Sequence, residues 1–301
     1  MKGIMLNKMR WVLPALSLLA ACASASPPPP KAPPARPALW KLSDADTTIY
    51  LFGTIHVLRK DYQWRTPILN RAVRDSRELV LEVADLEDKD KTAKTFLGLA
   101  ISPNLPPVLD RVPADKRAGL QTLIDKTGMP GSALKQFESW AVAITLASGM
   151  LKELDVSPEF GVEKQLRASF AKGKKPVSGL ETTEQQLGFF DKLPETAQRT
   201  FLSSMVDDAM DPEKEFNDMV SAWSRGDDKA IALSFDDELK LSPELTQSLL
   251  RDRNANWTVW LKKRLEKPGT IFVAVGAGHL AGPDSVIALL ANDKFKVERI
   301  Q

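Results

Sequence analysis

Cysteine occurs once in these 301 residues, histidine twice, and neither sign of charge is in large excess. The one cysteine is Cys22, so the chain beyond it has no disulfide, no thiolate metal site and no thiol nucleophile. Its stability must come from burial. The formal charge is +2, and three of the positive groups, Lys2, Lys8 and Arg10, sit in the first ten residues. The nearly neutral remainder, with both signs interspersed, gives no electrostatic case for nucleic acid. Long apolar runs are also missing: no segment after Ala21 approaches the roughly 20 residues that cross a bilayer as a helix.

What the chain does have begins with an export signal. A short basic region carrying Lys2, Lys8 and Arg10 precedes an apolar and small-residue core from Trp11 to Ala21, too short for a permanent span. Leu19-Ala20-Ala21-Cys22 has the pattern of a lipobox, in which Cys22 is acylated and becomes the mature first residue. The plainer alternative is an ordinary signal peptide, with Cys22 incidental. Residues 23–38 are almost entirely Ala, Ser and Pro, a composition that cannot bury a core and stays extended, so they read as a tether. One domain is expected over 39–301. The expected location is a bacterial cell envelope, lipid-anchored and facing the periplasm, and Ala23 after Cys22 fits sorting to the outer membrane.

Three apolar runs, 48–52, 79–83 and 270–275, are rich in β-branched and aromatic residues and continuous, as strands covered on both faces tend to be. Residues 175–180, 294–300 and 39–42 are further strand candidates. Thr66-Pro67 marks a helix start between the first two runs, giving the strand–helix–strand unit of a parallel sheet. Gly282-Pro283 is expected to open another helix before the last strand. Helices are expected at 132–152, 159–172, 182–192, 195–209, 212–225, 227–239 and 243–266, with Gly226 as the glycine ending one of them. The predicted class is α/β, with a central, mostly parallel sheet from the N- and C-terminal parts and a large helical insertion between them.

Both histidines share one local pattern. Tyr50-Leu51-Phe52-Gly53-Thr54-Ile55-His56 and Val273-Ala274-Val275-Gly276-Ala277-Gly278-His279 are each an apolar strand followed by Gly-x-x-His. Gly53 and Gly276 let the chain turn tightly or approach a ligand closely where it leaves the strand. In open α/β sheets, ligands bind outside the carboxyl ends of the strands, so both imidazoles are expected in one crevice. Two carboxylates share that address. Glu82 is embedded in an apolar strand, where an ionised group costs several kcal/mol unless paired; its alternative is an edge strand with the side chain in solvent. Glu181 ends another strand, its alternative being an anion at the N-terminus of the helix that follows.

Two imidazoles and two carboxylates make an N/O donor set suited to Mn, Co, Fe or Zn. Such an ion would acidify a bound water and polarise a carbonyl, with a spare glutamate as base. A second reading needs no metal: histidine as general base, oriented by a carboxylate. The sequence leaves both open.

The two motifs, Gly276-Ala277-Gly278-His279 included, resemble the paired Gly-x-x-His signatures of the TraB/GumN family. The resemblance extends to Leu39-Trp40-Lys41, Glu82, Gly161-Val162-Glu163, Gly179-Leu180-Glu181-Thr182 and Arg253-Asn254 followed by Trp257. That family is similar to the Tiki proteins of animals, described as metal-dependent proteases using the two histidines and nearby glutamates, and more distantly to erythromycin-esterase-like hydrolases and haem-binding ChaN-like lipoproteins. The resemblance implies His56, His279 and Glu82 as metal ligands. It implies Glu82, Glu181, Glu163, Arg253 and Asn254 as catalytic partners, and Gly53, Gly276 and Gly278 as residues shaping the site. On pattern alone, Glu163 is a helix-face charge and Arg253 a helix-surface residue. The expectation is a metal-dependent hydrolase of peptide or amide bonds on an unassigned peptide or small-molecule substrate. Two alternatives stand beside it. One is a non-catalytic protein holding haem, a metal or a peptide signal in the same crevice; with no Cys-x-x-Cys-His motif, any haem would be non-covalent. The other is a structural envelope lipoprotein.

Overall fold

The computed structural model describes residues 34–208, 211–239 and 242–301. The expected signal segment, Cys22 and residues 23–33 of the expected tether lie outside the described residues. The described chain opens with the hairpin Leu39–Ser43 (β1) and Thr47–Thr54 (β2), followed by the short strand Leu58–Arg59 (β3), helix Pro67–Asp75 (α1) and strand Leu79–Val83 (β4). Then come helices Lys89–Ala100 (α2), Arg117–Thr127 (α3), Gly131–Leu134 (α4) and Ser139–Met150 (α5) and strand Val156–Ser157 (β5). Helix Val162–Lys172 (α6) leads into strand Val177–Glu181 (β6). Helices Thr183–Asp191 (α7), Glu195–Asp208 (α8), Pro212–Ser224 (α9), Asp228–Leu239 (α10), Pro243–Thr246 (α11) and Asp252–Leu265 (α12) precede strand Gly269–Gly276 (β7), helix Val286–Asn292 (α13) and strand Val297–Arg299 (β8).

Six strands form one sheet in the order β6-β4-β7-β2-β1-β8, and β3 pairs with β5 separately. The four strands β6, β4, β7 and β2 run parallel, while β1 is antiparallel to both β2 and β8. The class is therefore the expected α/β with a mostly parallel sheet, and β6 divides the helical part in two. Alternation along β7 explains why its run is continuous: Ile271, Val273 and Val275 join one buried cluster, Phe272 and Ala274 the other. One face packs on Leu69, Ala72 and Val73 of α1 and Val162, Leu166 and Phe170 of α6. The other packs on Trp257, Leu261 and Leu265 of α12 and Val286 and Leu290 of α13. A separate core, away from the sheet, joins Leu120 and Ile124 of α3 to Val142 and Leu146 of α5 and Leu202 of α8.

Local chemistry sets the boundaries. Thr66 caps α1 by accepting from the Leu69 N–H at 3.1 Å, with Pro67 in the first turn, as expected. Gly226 takes φ +62° just past α9. Three expectations are corrected. The helix expected at 132–152 breaks between α4 and α5, because the backbone there pairs with 100–102: Ser102 N–H donates to Gln136 O and Glu138 N–H to Ala100 O. The helix expected from Gly282-Pro283 starts at Val286. Gly282 turns with φ +84°, and Ser285 is the cap, accepting from Ala288 N–H at 3.1 Å. Residues 243–266 are not one regular helix: 247–251 form a π-helical turn between α11 and α12. Helix α2 was not among the expected elements; Asp88 caps it, accepting from Lys91 N–H at 3.0 Å. The last residues of the Pro/Ala-rich stretch lie against the domain, where Arg36 N–H donates to Ser224 O at 2.6 Å and the Gln301 amide donates to Pro37 O at 2.7 Å.

Phe272 is wholly buried, its ring within 6.4 Å of those of Tyr50, Phe52 and Phe170. Phe272→Ala should lower the unfolding free energy by about 3–5 kcal/mol in urea titration, the cost of a large cavity in a close-packed layer. A loss below roughly 1 kcal/mol would contradict this packing.

Candidate functional site

The register of the sheet brings the carboxyl ends of the four parallel strands together. Thr54 of β2 pairs with Gly276 of β7, and Val83 of β4 with Glu181 of β6. His56 follows β2 by two residues, His279 lies in the short helical turn Ala277–Leu280 after β7, and Glu82 and Glu181 are at the ends of their strands. Gly53 lies close under the turn that follows β7, where a Cβ would stand 3.0 Å from Ala277 Cα. Gly276 faces the crevice: a Cβ on it would sit 3.1 Å from Glu82 Oε1 and 3.9 Å from His56 Nε2. Gly278 lies buried within the turn, its carbonyl accepting from Ala281 N–H at 3.3 Å.

Glu82 is buried on an inner strand, so the edge-strand alternative does not hold. Its Oε1 accepts from Gly276 N–H, and its Oε2 accepts from Arg253 Nη2 at 2.7 Å and Gln186 Nε2 at 3.1 Å. Burial pushes the Glu82 carboxyl up, but the surrounding histidines, Arg253 and the Gly276 N–H outweigh it and hold the group down, at about 2. Since His279 is uncharged at neutral pH (below), Arg253 is the buried cation that does most of this there. Glu181 accepts from Arg253 Nε at 3.0 Å and Nη2 at 3.0 Å, and from Trp257 Nε1 at 2.9 Å. Its pKa is raised, first by burial and also by the Glu82 charge, with the Arg253 and Trp257 bonds opposing. The helix-N-terminus alternative for Glu181 fails, because Thr182 and Gln185 close a capping box on α7 and Asp85 takes the Thr183 N–H and hydroxyl.

Arg253 and Asn254 lie in the first turn of α12, one residue past the π-helical turn, and both are buried. Turns of that kind widen the helix by one residue and recur at functional sites. Arg253 Nη1 donates to Leu249 O at 3.3 Å and meets His279 Nε2 at 3.0 Å. A guanidinium has donors only, so His279 Nε2 holds a lone pair and Nδ1 carries the proton. That proton goes to Asn254 Oδ1 at 2.7 Å, and Asn254 Nδ2 donates to Asp284 O at 2.8 Å, which fixes the amide's orientation. Burial, then the charges of Arg253 and His56 against that of Glu82, push the His279 pKa down to about 3.

His56 is in the opposite condition. Its side chain is 69% exposed against 8% for His279, and its Nδ1 meets Glu163 Oε1 at 2.7 Å. The same oxygen accepts from the Thr54 hydroxyl. The Glu163 charge pushes the His56 pKa up to about 9 against the opposing effect of desolvation, and the Glu163 carboxyl is in turn held below its usual range. Glu163 reaches His56 because α6 begins hard against the histidine loop. Val162 N–H donates to Ile55 O at 3.0 Å, and a Cβ on Gly161 would fall 2.0 Å from His56 O.

The crevice has two lobes that share His56, Glu82 and Gln186. One, of about 390 Å³, has an apolar wall that includes Phe190, Phe201, Met205, Leu245 and Leu249. The other, of about 370 Å³, is bordered by Val83, Leu86, Lys89, Glu163 and Arg167. Thus all the expected residues come together, but as two units: a His56–Glu163 pair open to the crevice, and a buried cluster of Arg253, Glu82, Glu181, His279 and Asn254. Thr54, Gln186 and Asp284 were not anticipated; a lone polar residue at a strand end, on a helix or in a turn carries no pattern that separates it from its neighbours. The expected metal donors border one space, yet their arrangement does not fit a dication. The His279 lone pair accepts from Arg253, both Glu82 oxygens are engaged, and a guanidinium stands alongside. Among the described residues, no group of three His, Cys, Asp or Glu is arranged to hold a metal ion.

Fold and site define an α/β protein with a crevice at the carboxyl ends of a parallel sheet, carrying a histidine–carboxylate pair beside a buried guanidinium cluster. The model of the TraB/PrgY/gumN family matches residues 38–299, and the chain belongs to that family. It is similar to the "Uncharacterized protein YbaP" of Escherichia coli (strain K12), 24% identical over 245 residues that cover 80% of this chain and 87% of the relative. The protein of the same name from Shigella flexneri matches to the same extent.

Two outcomes follow for the site itself. Arg253→Ala leaves two buried carboxylates without their cation and should cost about 3–5 kcal/mol in denaturant unfolding; a loss under roughly 1 kcal/mol would mean that Glu82 and Glu181 are solvated. The acid side is governed by Glu82 and His279, whose folded pKa values of about 2 and about 3 lie below those of the unfolded chain. Each contributes stability that is present above its unfolded pKa and is lost as pH falls toward the folded value. His56 has the reverse sign, its folded value of about 9 adding stability below the unfolded pKa that disappears as pH rises toward 9. Nitrogen NMR of the imidazoles should show one titration near 9 and one ring that stays neutral through pH 5; two ordinary titrations near 6.5 would refute the assignment.

Proposed function

We propose that this protein is a hydrolase of peptide or other amide bonds, exported and held at the periplasmic face of the envelope through a lipid on Cys22. The observation that carries the reading is the His56–Glu163 pair, with Nδ1 tied to a carboxylate at 2.7 Å and the exposed ring bordering both lobes of the crevice. That is the geometry of an oriented general base: the carboxylate fixes the tautomer, so the base is Nε2. Neutral His56 takes a proton from water as its oxygen attacks the amide carbon, and the imidazolium then returns the proton to the departing nitrogen. Glu163 steadies the imidazolium, and the buried cluster holds the Gly276 loop through Glu82. No described helix is long and apolar enough to cross a membrane; the attachment proposed is the lipid on Cys22.

With the base near 9, its neutral form is a minority at pH 7, and kcat/KM on a peptide-amide library should rise about tenfold per pH unit up to that value. His56→Ala should lower kcat/KM by roughly 10²–10⁴-fold while the domain stays folded. Glu163→Gln should lower kcat and shift the pH profile toward that of an ordinary imidazole. Undiminished turnover in His56→Ala would sink the reading. The apolar lobe beside His56 favours one other use, non-catalytic binding of haem or an apolar peptide signal. A Soret band on haem titration, lost in His56→Ala, would select it.

A further inference from the structure

Three donor atoms of the kind a divalent ion takes converge on one guanidinium. His279 Nε2 lies 3.0 Å from Arg253 Nη1, while Glu82 Oε2 and Glu181 Oε2 lie 2.7 and 3.0 Å from Nη2. The remaining N–H groups of Arg253 go to Glu181 through Nε and to Leu249 O through Nη1, so every donor of the fork has a partner. The guanidinium also packs over the Trp257 ring, 4.7 Å from its centroid. Two carboxylates and a neutral imidazole with its lone pair turned inward are the hard and borderline donors that select Mn, Co, Fe or Zn. Here they enclose a group that is planar, charged at every relevant pH and covalently tethered. Asn254 reinforces the arrangement by holding His279 in the tautomer that offers its lone pair inward.

We propose that Arg253 is the resident cation of this crevice, standing where an N/O metal site would hold its ion. The wild-type protein then needs no metal: the guanidinium holds His279, Glu82 and Glu181 in an arrangement that takes no ion, and removing it lets the same donors close on a divalent one. The inference does not rest on the hydrolase reading; it concerns what occupies the cluster, whatever the crevice acts on. It also gives Asn254 a role as a positioning residue, acting through His279.

The test uses the full chain, purified without chelator, as wild type, Arg253→Ala, Arg253→Lys and Arg253→Ala combined with His279→Gln. Bound metal is measured by elemental mass spectrometry, and melting temperature with Mn, Co or Zn salts and with EDTA. Expected for the wild type are metal contents far below one ion per chain and a melting temperature unmoved by EDTA. Arg253→Ala should bind roughly tenfold more metal than the wild type and be stabilised by the ion in a concentration-dependent, EDTA-reversible way. Arg253→Lys, which keeps a cation, should gain none, and adding His279→Gln should abolish the gain. Should Arg253→Ala fail to fold alone, ion-dependent recovery of its circular dichroism is the same gain read another way. A near-stoichiometric ion in the wild type overturns the proposal. So does an Arg253→Ala protein that neither binds nor is refolded by any of the three ions.

Discussion

The ion pair between Arg253 and the Glu82 carboxylate is the constraint on which the site depends. An ionised carboxylate inside a parallel sheet is costly to bury, and its placement is stable only because a guanidinium and a backbone N–H meet its two oxygens. From that one requirement the neighbourhood follows. Arg253 must enter from α12, Glu181 shares its charge, and His279 can remain only as a neutral acceptor. Gly276 keeps its N–H close to Glu82, and a Cβ there would stand 3.1 Å from Glu82 Oε1. Apolar packing on both faces of the sheet supplies the bulk of the stability, and the polar cluster specifies how the strand ends are held.

The same arrangement gives two histidines of identical local sequence opposite chemistry. Each follows a strand by way of Gly-x-x-His, yet one is the cationic half of an open ion pair with Glu163 and the other a buried, neutral ring locked between Asn254 and Arg253. A site built from two similar imidazoles would be redundant. Separated pKa values, about 9 and about 3, leave one ring protonated and open to the crevice while the other is held neutral inside the cluster. Family membership supplies no substrate.

Much of the fold was legible because local signals there agree with tertiary structure. Continuous β-branched runs marked β2, β4 and β7, and Thr66-Pro67 marked the start of α1. Failures had two causes. Residues 135–138 pair with the distant 100–102 in place of continuing a helix, whereas at α13 one local sign displaced another, Ser285 capping the helix just beyond Gly282-Pro283. The site showed a similar division. Paired Gly-x-x-His motifs at strand ends placed His56 and His279 in one crevice, and the charge embedded in an apolar run pointed to Glu82. Glu163 and Arg253 came only through resemblance, since each reads locally as a charge on a helix surface.

By itself, then, the sequence determined which strands build the main sheet, though not the short β3 and β5, that they run mostly parallel, and that both histidines stand at carboxyl ends; periodicity and turn chemistry act over a few residues and are written in them. Tertiary structure decided the partners. Whether an imidazole pairs with a carboxylate or a guanidinium depends on groups far away in the chain, Glu163 for His56 and Arg253 for His279, brought within 3 Å by the register of the sheet and the approach of α6 and α12. Electrostatic energies in a buried site vary with distance and solvent exclusion, quantities that belong to the packed structure and leave no local trace in the chain.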